Sequence, residues 1–257
     1  MAQTNSRFFS VMVVGDNPMD LMEKYDRAME VEPYVKYKYL DAKKYKNVAV
    51  KAMEKVLSEE DKISLQPSVR EALKERLKSL KNMSDFEYYR QLTDGMFYDN
   101  NGNALSEENP DGHWVTCREG GHFSLPLRLY DGKEVYSARK GDVDWGSMHQ
   151  ANKSVYEAAW EIVVEGRAPE NSMEETIYES MKDKDSYFSN FKDKDEYVTY
   201  STSFWNYAYV DEKGWKDMDN TCGGNEKKWV EEFYDNFVKD MDGNKLITIY
   251  ECTTNSD

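Results

Sequence analysis

Cysteine, positive charge and long apolar runs are all scarce in this sequence, and each scarcity excludes something. Only three cysteines occur, Cys117, Cys222 and Cys252. None belongs to a Cys-x-x-Cys pair and their number is odd, so a disulfide framework is not expected and a reducing compartment fits best. Lys and Arg number 34 against 49 Asp and Glu, for a net charge of −15. Binding to a phosphate backbone needs a positive footprint, so direct nucleic-acid binding is not expected. No stretch approaches the ~18 consecutive apolar residues of a membrane span. The apolar run Arg7 to Val14 feeds straight into Gly15-Asp16-Asn17-Pro18 with no small-residue cleavage site, and reads as a first strand rather than a signal peptide.

What is abundant is aromatic. Nineteen Tyr, ten Phe and six Trp make 14% of the chain, against a mean hydropathy of −0.87 and 32% charged residues. The charge alone would suit a disordered chain, but disordered chains are poor in aromatics. A length of 257 residues is enough to bury a core without covalent staples. The charge is uneven: residues 170–257 hold 21 acidic and 10 basic residues, whereas residues 41–81 hold 11 basic and 7 acidic ones. The acidic third is either a solvated surface or a face that docks onto a basic partner, in the manner of a nucleic-acid mimic.

Local pattern gives an α+β fold. After the first strand, Asn17 and Pro18 mark a helix start, with Asp20 placed to close a capping box, and Leu21, Met22, Tyr25, Ala28 and Met29 recur at helical spacing. Tyr34 to Leu40 alternates Val35, Tyr37 and Tyr39 with Lys36 and Lys38, the period of a half-exposed strand. Near the other end, Tyr197 to Val210 reads as a strand region. Trp229, Val230, Phe233, Phe237 and Val238 read as one helix face, and Leu246 to Cys252 as a closing strand. Two β-α-β units predict a ferredoxin-like core from residues 1–40 and 197–257. Residues 41–196 are then an insertion within a single compact unit, mostly helical, with a hairpin region at 96–130. In the insertion, Ser68 and Glu71 read as a capping box and Val155–Glu165 as a helix. Lys182-Asp-Lys-Asp and Lys192-Asp-Lys-Asp read as solvated turns. Asp99 to Asn103 is a turn rather than a calcium loop, because with Gly102 at the sixth loop position Phe97 takes a place that needs an oxygen ligand.

Polar chemistry concentrates in residues 109–145. A Cys117 nucleophile with His113 or His122 as base is one reading, a small buried cysteine the other. The spacing His113-x3-Cys117-x4-His122 matches no zinc pattern, and no metal or other cofactor is expected. Glu119-Gly120-Gly121-His122 is either an anion cradle or a plain hairpin turn. Asp142 and Asp144 share a face if extended and could do acid–base work, or one of them caps the helix that follows Trp145. Weak catalytic candidates are therefore Glu119, His122, Asp142 and Asp144. The binding candidates are Trp114, Gly120, Gly121, His122, Arg139 and Trp145.

The motifs Asp99–Asn103, Asn109-Pro110, Trp114, Glu119 to Phe123 and Ala138 to Trp145 (ARKGDVDW) resemble a family of uncharacterised proteins from phages and other mobile elements. A second stretch, running from Tyr207–Val210 through Asp211–Trp215 and Thr221–Gly224 to Cys252, is similar to the same family. Together the resemblance covers roughly residues 97–145 and 204–252. Where the family has Gly-Gly-Arg-Trp, this chain has Gly-Gly-His-Phe, and an anion-binding arginine does not carry over. The resemblance implies an accessory protein of a phage or mobile element, working in a bacterial cytoplasm. The expected function is binding to a host or phage protein with a basic surface, for instance as inhibitor of a defence or nucleic-acid-handling protein. The alternatives are a small-ligand or metal-dependent enzyme using Glu119–His122 with Asp142 and Asp144, and a minor virion component. The sequence leaves the oligomeric state open.

Overall fold

The computed structural model describes residues 8–58, 67–121, 124–150, 152–182 and 185–254. In chain order the first elements are β1 (Phe8–Val14), α1 (Pro18–Glu23), β2 (Tyr34–Tyr37), α2 (Ala42–Ser58), α3 (Pro67–Asn82), α4 (Asp85–Leu92), β3 (Phe97–Tyr98) and β4 (Ala104–Ser106). Next are β5 (Thr116–Glu119), β6 (Leu127–Arg128), β7 (Glu134–Val135), β8 (Ser137–Arg139), α5 (Trp145–Met148) and α6 (Lys153–Val163). The remainder is α7 (Ser172–Met181), α8 (Asp185–Phe188), α9 (Lys194–Thr202), β9 (Ala208–Asp211), β10 (Gly214–Asp217), α10 (Met218–Cys222), α11 (Glu226–Phe237) and β11 (Leu246–Thr253). The chain divides into two compact units, Met1–Met29 with Pro110–Asp257, and Glu30–Asn109.

The larger unit is built on a six-stranded mixed sheet of order β10-β9-β1-β11-β5, with β8 also on β11. The two ends of the chain meet in it: β1 runs antiparallel to β11 from Phe8 opposite Thr253 to Val14 opposite Ile247. The apolar run of β1 has no polar alternation because both of its faces are covered. Met12 and Val14 join Ile247, Ile249, Trp229 and Phe233 on one face. Val11 and Val13 join Cys252, Tyr250, Met22 and Trp114 on the other. Val11, Met12 and Val13 are fully buried, and each such side chain stabilises by about 1.5–3 kcal/mol. A helical subcluster centred on Tyr197 gathers Trp160, Phe188, Phe191 and Val198.

The smaller unit holds the three-stranded sheet β2-β4-β3 with α2, α3 and α4. Its buried centre is Ala42, Tyr89 and Ala104, wrapped by Tyr37, Tyr45, Met96 and Tyr98. The Tyr89 hydroxyl accepts from the Ala104 N–H at 2.9 Å and lies 3.0 and 2.9 Å from the Tyr37 and Gly102 carbonyls. Asp99 closes the β3–β4 turn. One of its carboxylate oxygens accepts from the Asn101 and Asn103 N–H groups and the other from the Asn103 amide.

Several expectations are corrected here. The mixed α and β content stands, but the ferredoxin-like pattern does not form, because β2 pairs with β4 in the smaller unit instead of returning beside β1. β1 also pairs parallel with β9, and the strand beyond β9 arrives through the tight β9–β10 hairpin. The chain is two compact units rather than one. The inserted unit is Glu30–Asn109, not 41–196, since β5 and β8 complete the main sheet. Tyr197–Thr202 is helical within α9, whose N-cap Asp193 accepts from the Glu196 N–H. α1 ends at Glu23, and Asn17 makes no side-chain cap bond. α3 starts at Pro67, ahead of Ser68, so the Ser68–Glu71 box does not sit at its N-terminus. A capping box instead opens α4, between Ser84 and Glu87. The first Lys-Asp-Lys-Asp run lies partly outside the described residues.

Candidate functional site

The sequence-nominated segment turns out to be occupied by its own structure. Glu119 ends β5 opposite Tyr250. Gly120 and Gly121 follow with φ of 71° and 127°, in the region that favours glycine. A side chain at Gly120 would strike the Tyr136 ring, and one at Gly121 the Glu251 side chain. His122 lies outside the described residues. Arg118 caps this edge with an ion pair to the buried Glu251 carboxylate at 2.5 Å.

Asp144 is the N-cap of α5, accepting from the Ser147 N–H at 3.0 Å, so the capping reading of this carboxylate holds. Asp142 gives its backbone carbonyl to Tyr130 N–H. These carboxylates do not converge with Glu119. One edge of β11 is taken by β1, so β5 and β8 lie end to end along the other. Glu119 faces Tyr250 and Arg139 faces Leu246, four residues or roughly 13 Å apart along the strand. Beyond Arg139 the chain moves farther off, with Gly141 N–H on the Gly243 carbonyl. Glu119 is thus not brought together with Asp142 and Asp144.

The binding candidates are structural as well. Trp114 is buried and donates its indole N–H to the Met22 carbonyl at 3.2 Å. Trp145 donates to the Lys140 carbonyl at 3.1 Å and packs against Phe204 and Tyr234. Arg139 donates to the Asn244 carbonyl. His113 stacks flat on Trp215, with ring centres 4.3 Å apart, and burial lowers its pKa. Among the described residues no group of three or more His, Cys, Asp and Glu side chains is arranged to hold a metal.

A cleft with open chemistry lies elsewhere in the larger unit, at the carboxyl ends of the parallel strands β1 and β9. It measures about 380 Å³ and runs from Val14 and Asp211 past the β9–β10 turn to the end of α11 and the turn at 240–245. Its apolar wall is a stacked pair, Tyr209 on Phe237, with centroids 4.6 Å apart and planes at 21°. The pair forms because β9 points Tyr209 at the face of α11 that also buries Trp229 and Phe233. The Lys216 ammonium lies over both rings, 5.6 Å from Tyr209 and 5.4 Å from Phe237, a cation–π arrangement. Around it stand Asp211, Glu212, Asp235, Asp240 and Asp242, against Lys213, Lys216 and Lys245. The Tyr209 hydroxyl donates to Asp211 at 3.0 Å. Burial first, and then the Asp211 charge, pushes this phenol up, so it stays protonated. The C-terminal end of α11 adds partial negative charge. The cleft is therefore aromatic on one wall, carboxylate-rich at the rim, and already accommodates one ammonium.

A second cavity, about 220 Å³, is lined by Leu125, Pro126, Met148, Tyr156 and Phe204 with the Arg128–Glu134 ion pair. Its charged groups satisfy each other.

Comparison with known proteins adds no relative. No family model matches the chain, and neither a curated protein nor a solved structure matches it. The cleft lies in the acidic C-terminal third, but nothing in the sequence pattern singles out Tyr209 or Lys216, and Phe237 shows only as part of a helix face. The available signal was the aromatic at the end of a strand read together with the last turn of the amphipathic helix.

Proposed function

We propose that this protein acts by binding another protein, and that the cleft between β9, β10 and the end of α11 receives a basic segment of that partner. The observation that carries the reading is the Tyr209–Phe237 stack holding the Lys216 ammonium in a cleft lined by five carboxylates, of which Asp235 pairs with Lys239 and Glu212 with Lys245. An incoming lysine or arginine side chain meets the same aromatic faces and the same negative rim. The larger unit carries 34 acidic and 20 basic residues, a field that steers basic partners toward it and repels nucleic acid. No helix among the described residues is long and apolar enough to cross a membrane. Taken with the motif resemblance, the partner is a host or phage protein in the bacterial cytoplasm, and the effect is inhibition of a defence or nucleic-acid-handling protein.

The test is a titration of the protein with a Lys/Arg-rich peptide and with its Gln-substituted counterpart, at low and high salt. Saturable binding of the basic peptide alone, weakening as salt rises, is expected. The double variant Asp235→Asn/Asp240→Asn should weaken it about tenfold, two rim charges being removed at roughly 0.7 kcal/mol each. Equal binding of both peptides, or an unchanged affinity in the double variant, refutes the cleft as the receptor.

A further inference from the structure

We propose that Cys117 and Cys252 are a redox modification site, closing to a reversible cross-strand disulfide when the protein meets a hydroperoxide and tying the edge strand β5 to β11. The two residues face each other in register on the β5–β11 ladder. Gly120 donates its N–H to the Ile249 carbonyl at 2.8 Å, a bond that flanks Glu119 opposite Tyr250 and makes those two a pair without mutual hydrogen bonds. Pair types alternate along an antiparallel ladder, so Cys117–Cys252, two residues on, is of the same kind. In such pairs the Cα atoms stand about 4.5 Å apart and the side chains are at their closest. A disulfide accepts Cα separations of about 4.4–6.8 Å. Both cysteines lie on one face of the sheet, Cys252 inside the apolar layer with Val11 and Val13 and Cys117 packed against it. Both are free thiols, opposite each other on the ladder. The pair type therefore places the two cysteines within the range a disulfide spans.

Exposure assigns the order of events. Cys117 is half-buried and Cys252 fully buried, so oxidant reaches Cys117 first. Burial also holds the Cys252 thiol protonated by pushing its pKa up. With hydrogen peroxide, the Cys117 thiolate attacks one oxygen, the O–O bond breaks, and the departing hydroxide takes up a proton as water. Cys117 is left as a sulfenic acid. The Cys252 sulfur then attacks the Cys117 Sγ and gives up its proton to the departing hydroxide. The S–S bond forms, the S–O bond breaks, and a second water leaves. Two thiols are oxidised and one peroxide is reduced to two waters. A bridge at the short end of the allowed Cα range is readily reduced by a dithiol. Cys222 does not compete, because it packs on the opposite face of the sheet.

The experiment treats the full chain with hydrogen peroxide, alkylates it under denaturing conditions, and reads intact mass and a non-reducing peptide map. The expected result is loss of the mass of two hydrogens and one cross-linked peptide joining residues 117 and 252, cleaved by dithiothreitol. Cys222→Ser should leave this unchanged and Cys117→Ala should abolish it. Cys252→Ala should stop the reaction at a sulfenic acid on Cys117 that dimedone traps. Gain of oxygen atoms without a cross-link, or a cross-link through Cys222, overturns the proposal. The map of the unsubstituted chain decides this even if the Cys252 variant fails to fold.

Discussion

The two units of this chain solve the same problem with different materials. Every tryptophan, histidine and cysteine lies in the larger unit, whereas the smaller one, Glu30–Asn109, has seven tyrosines and no tryptophan. The larger unit carries 14 more acidic than basic residues, the smaller only one more. The larger buries aliphatic and aromatic side chains on both faces of a sheet. The smaller organises three short strands around a single tyrosine whose hydroxyl meets three backbone groups. One unit is held chiefly by the area it removes from water, the other leans on polar satisfaction at its centre. The first tolerates loss of a hydroxyl better than loss of a ring, and the second is the place where a single oxygen matters.

Truncating the apolar core gives the largest effect. Phe233 is fully buried and touches Trp229, Phe237 and Phe204. Phe233→Ala should destabilise the larger unit by about 3–5 kcal/mol. Denaturant unfolding followed by tryptophan fluorescence reads that unit alone, since the smaller one has no tryptophan. The ring also supports Phe237, so the basic-peptide affinity should fall with it. Unchanged fluorescence unfolding would show that α11 contributes little to the core, and the contrast between the units would collapse.

An intermediate effect comes from one atom. Tyr89→Phe keeps the ring against Tyr39 and Tyr98 but leaves the Ala104 N–H without its acceptor in a buried place. A cost of about 1–3 kcal/mol follows. It should fall on the smaller unit and spare the tryptophan transition. Amide exchange of residues 97–106 is the readout. Faster exchange throughout both units would mean that they unfold together and that the comparison is one of composition only.

How far the sequence foretold this depends on whether the deciding force was local. β1 was legible because both its faces are buried and the apolar run has no polar gaps. α11 was legible from its stripe; its N-cap Asn225, which accepts from the Lys228 N–H, was not singled out. A cap at Asp142 or Asp144 was foreseen, and Asp144 is the one that forms it. The Tyr/Thr-rich stretch at 197–202 looked like a strand, yet packing of Tyr197 and Val198 against Trp160, Phe188 and Phe191 decided for helix, tertiary context overriding propensity. β2 had the right period, but a period says nothing about which strand it will pair with. The conspicuous motif at 138–145 specifies a turn, a cap and a core tryptophan rather than a reactive site. The cleft was invisible because Val14, Tyr209, Lys216 and Phe237 come from separate elements: Tyr209 lies beside β1 by parallel pairing, faces Lys216 across the β9–β10 hairpin, and meets Phe237 through the packing of α11.

The smallest effect is an acid response at one turn of the smaller unit. The Asp99 carboxyl is held below its ordinary value near 3.8 by bonds from the Asn103 side chain and backbone, and then from Asn101. Its charged form is the one the turn stabilises. A group with a depressed folded pKa contributes stability that is fully present above the unfolded pKa and is lost as the pH falls through the folded one. The smaller unit should therefore lose this contribution below about pH 4, as proton uptake loosens the β3–β4 turn. Asp99→Asn removes the titration and retains an oxygen for the Asn101 and Asn103 N–H groups. The variant should be slightly less stable at neutral pH, and its stability should fall less steeply between about pH 5 and pH 2. Amide exchange of residues 99–104 across that range measures both. The same acid slope in the variant and the unsubstituted chain would mean that other carboxylates govern the turn, and Asp99 would lose its place as an acid-sensitive contact of the smaller unit.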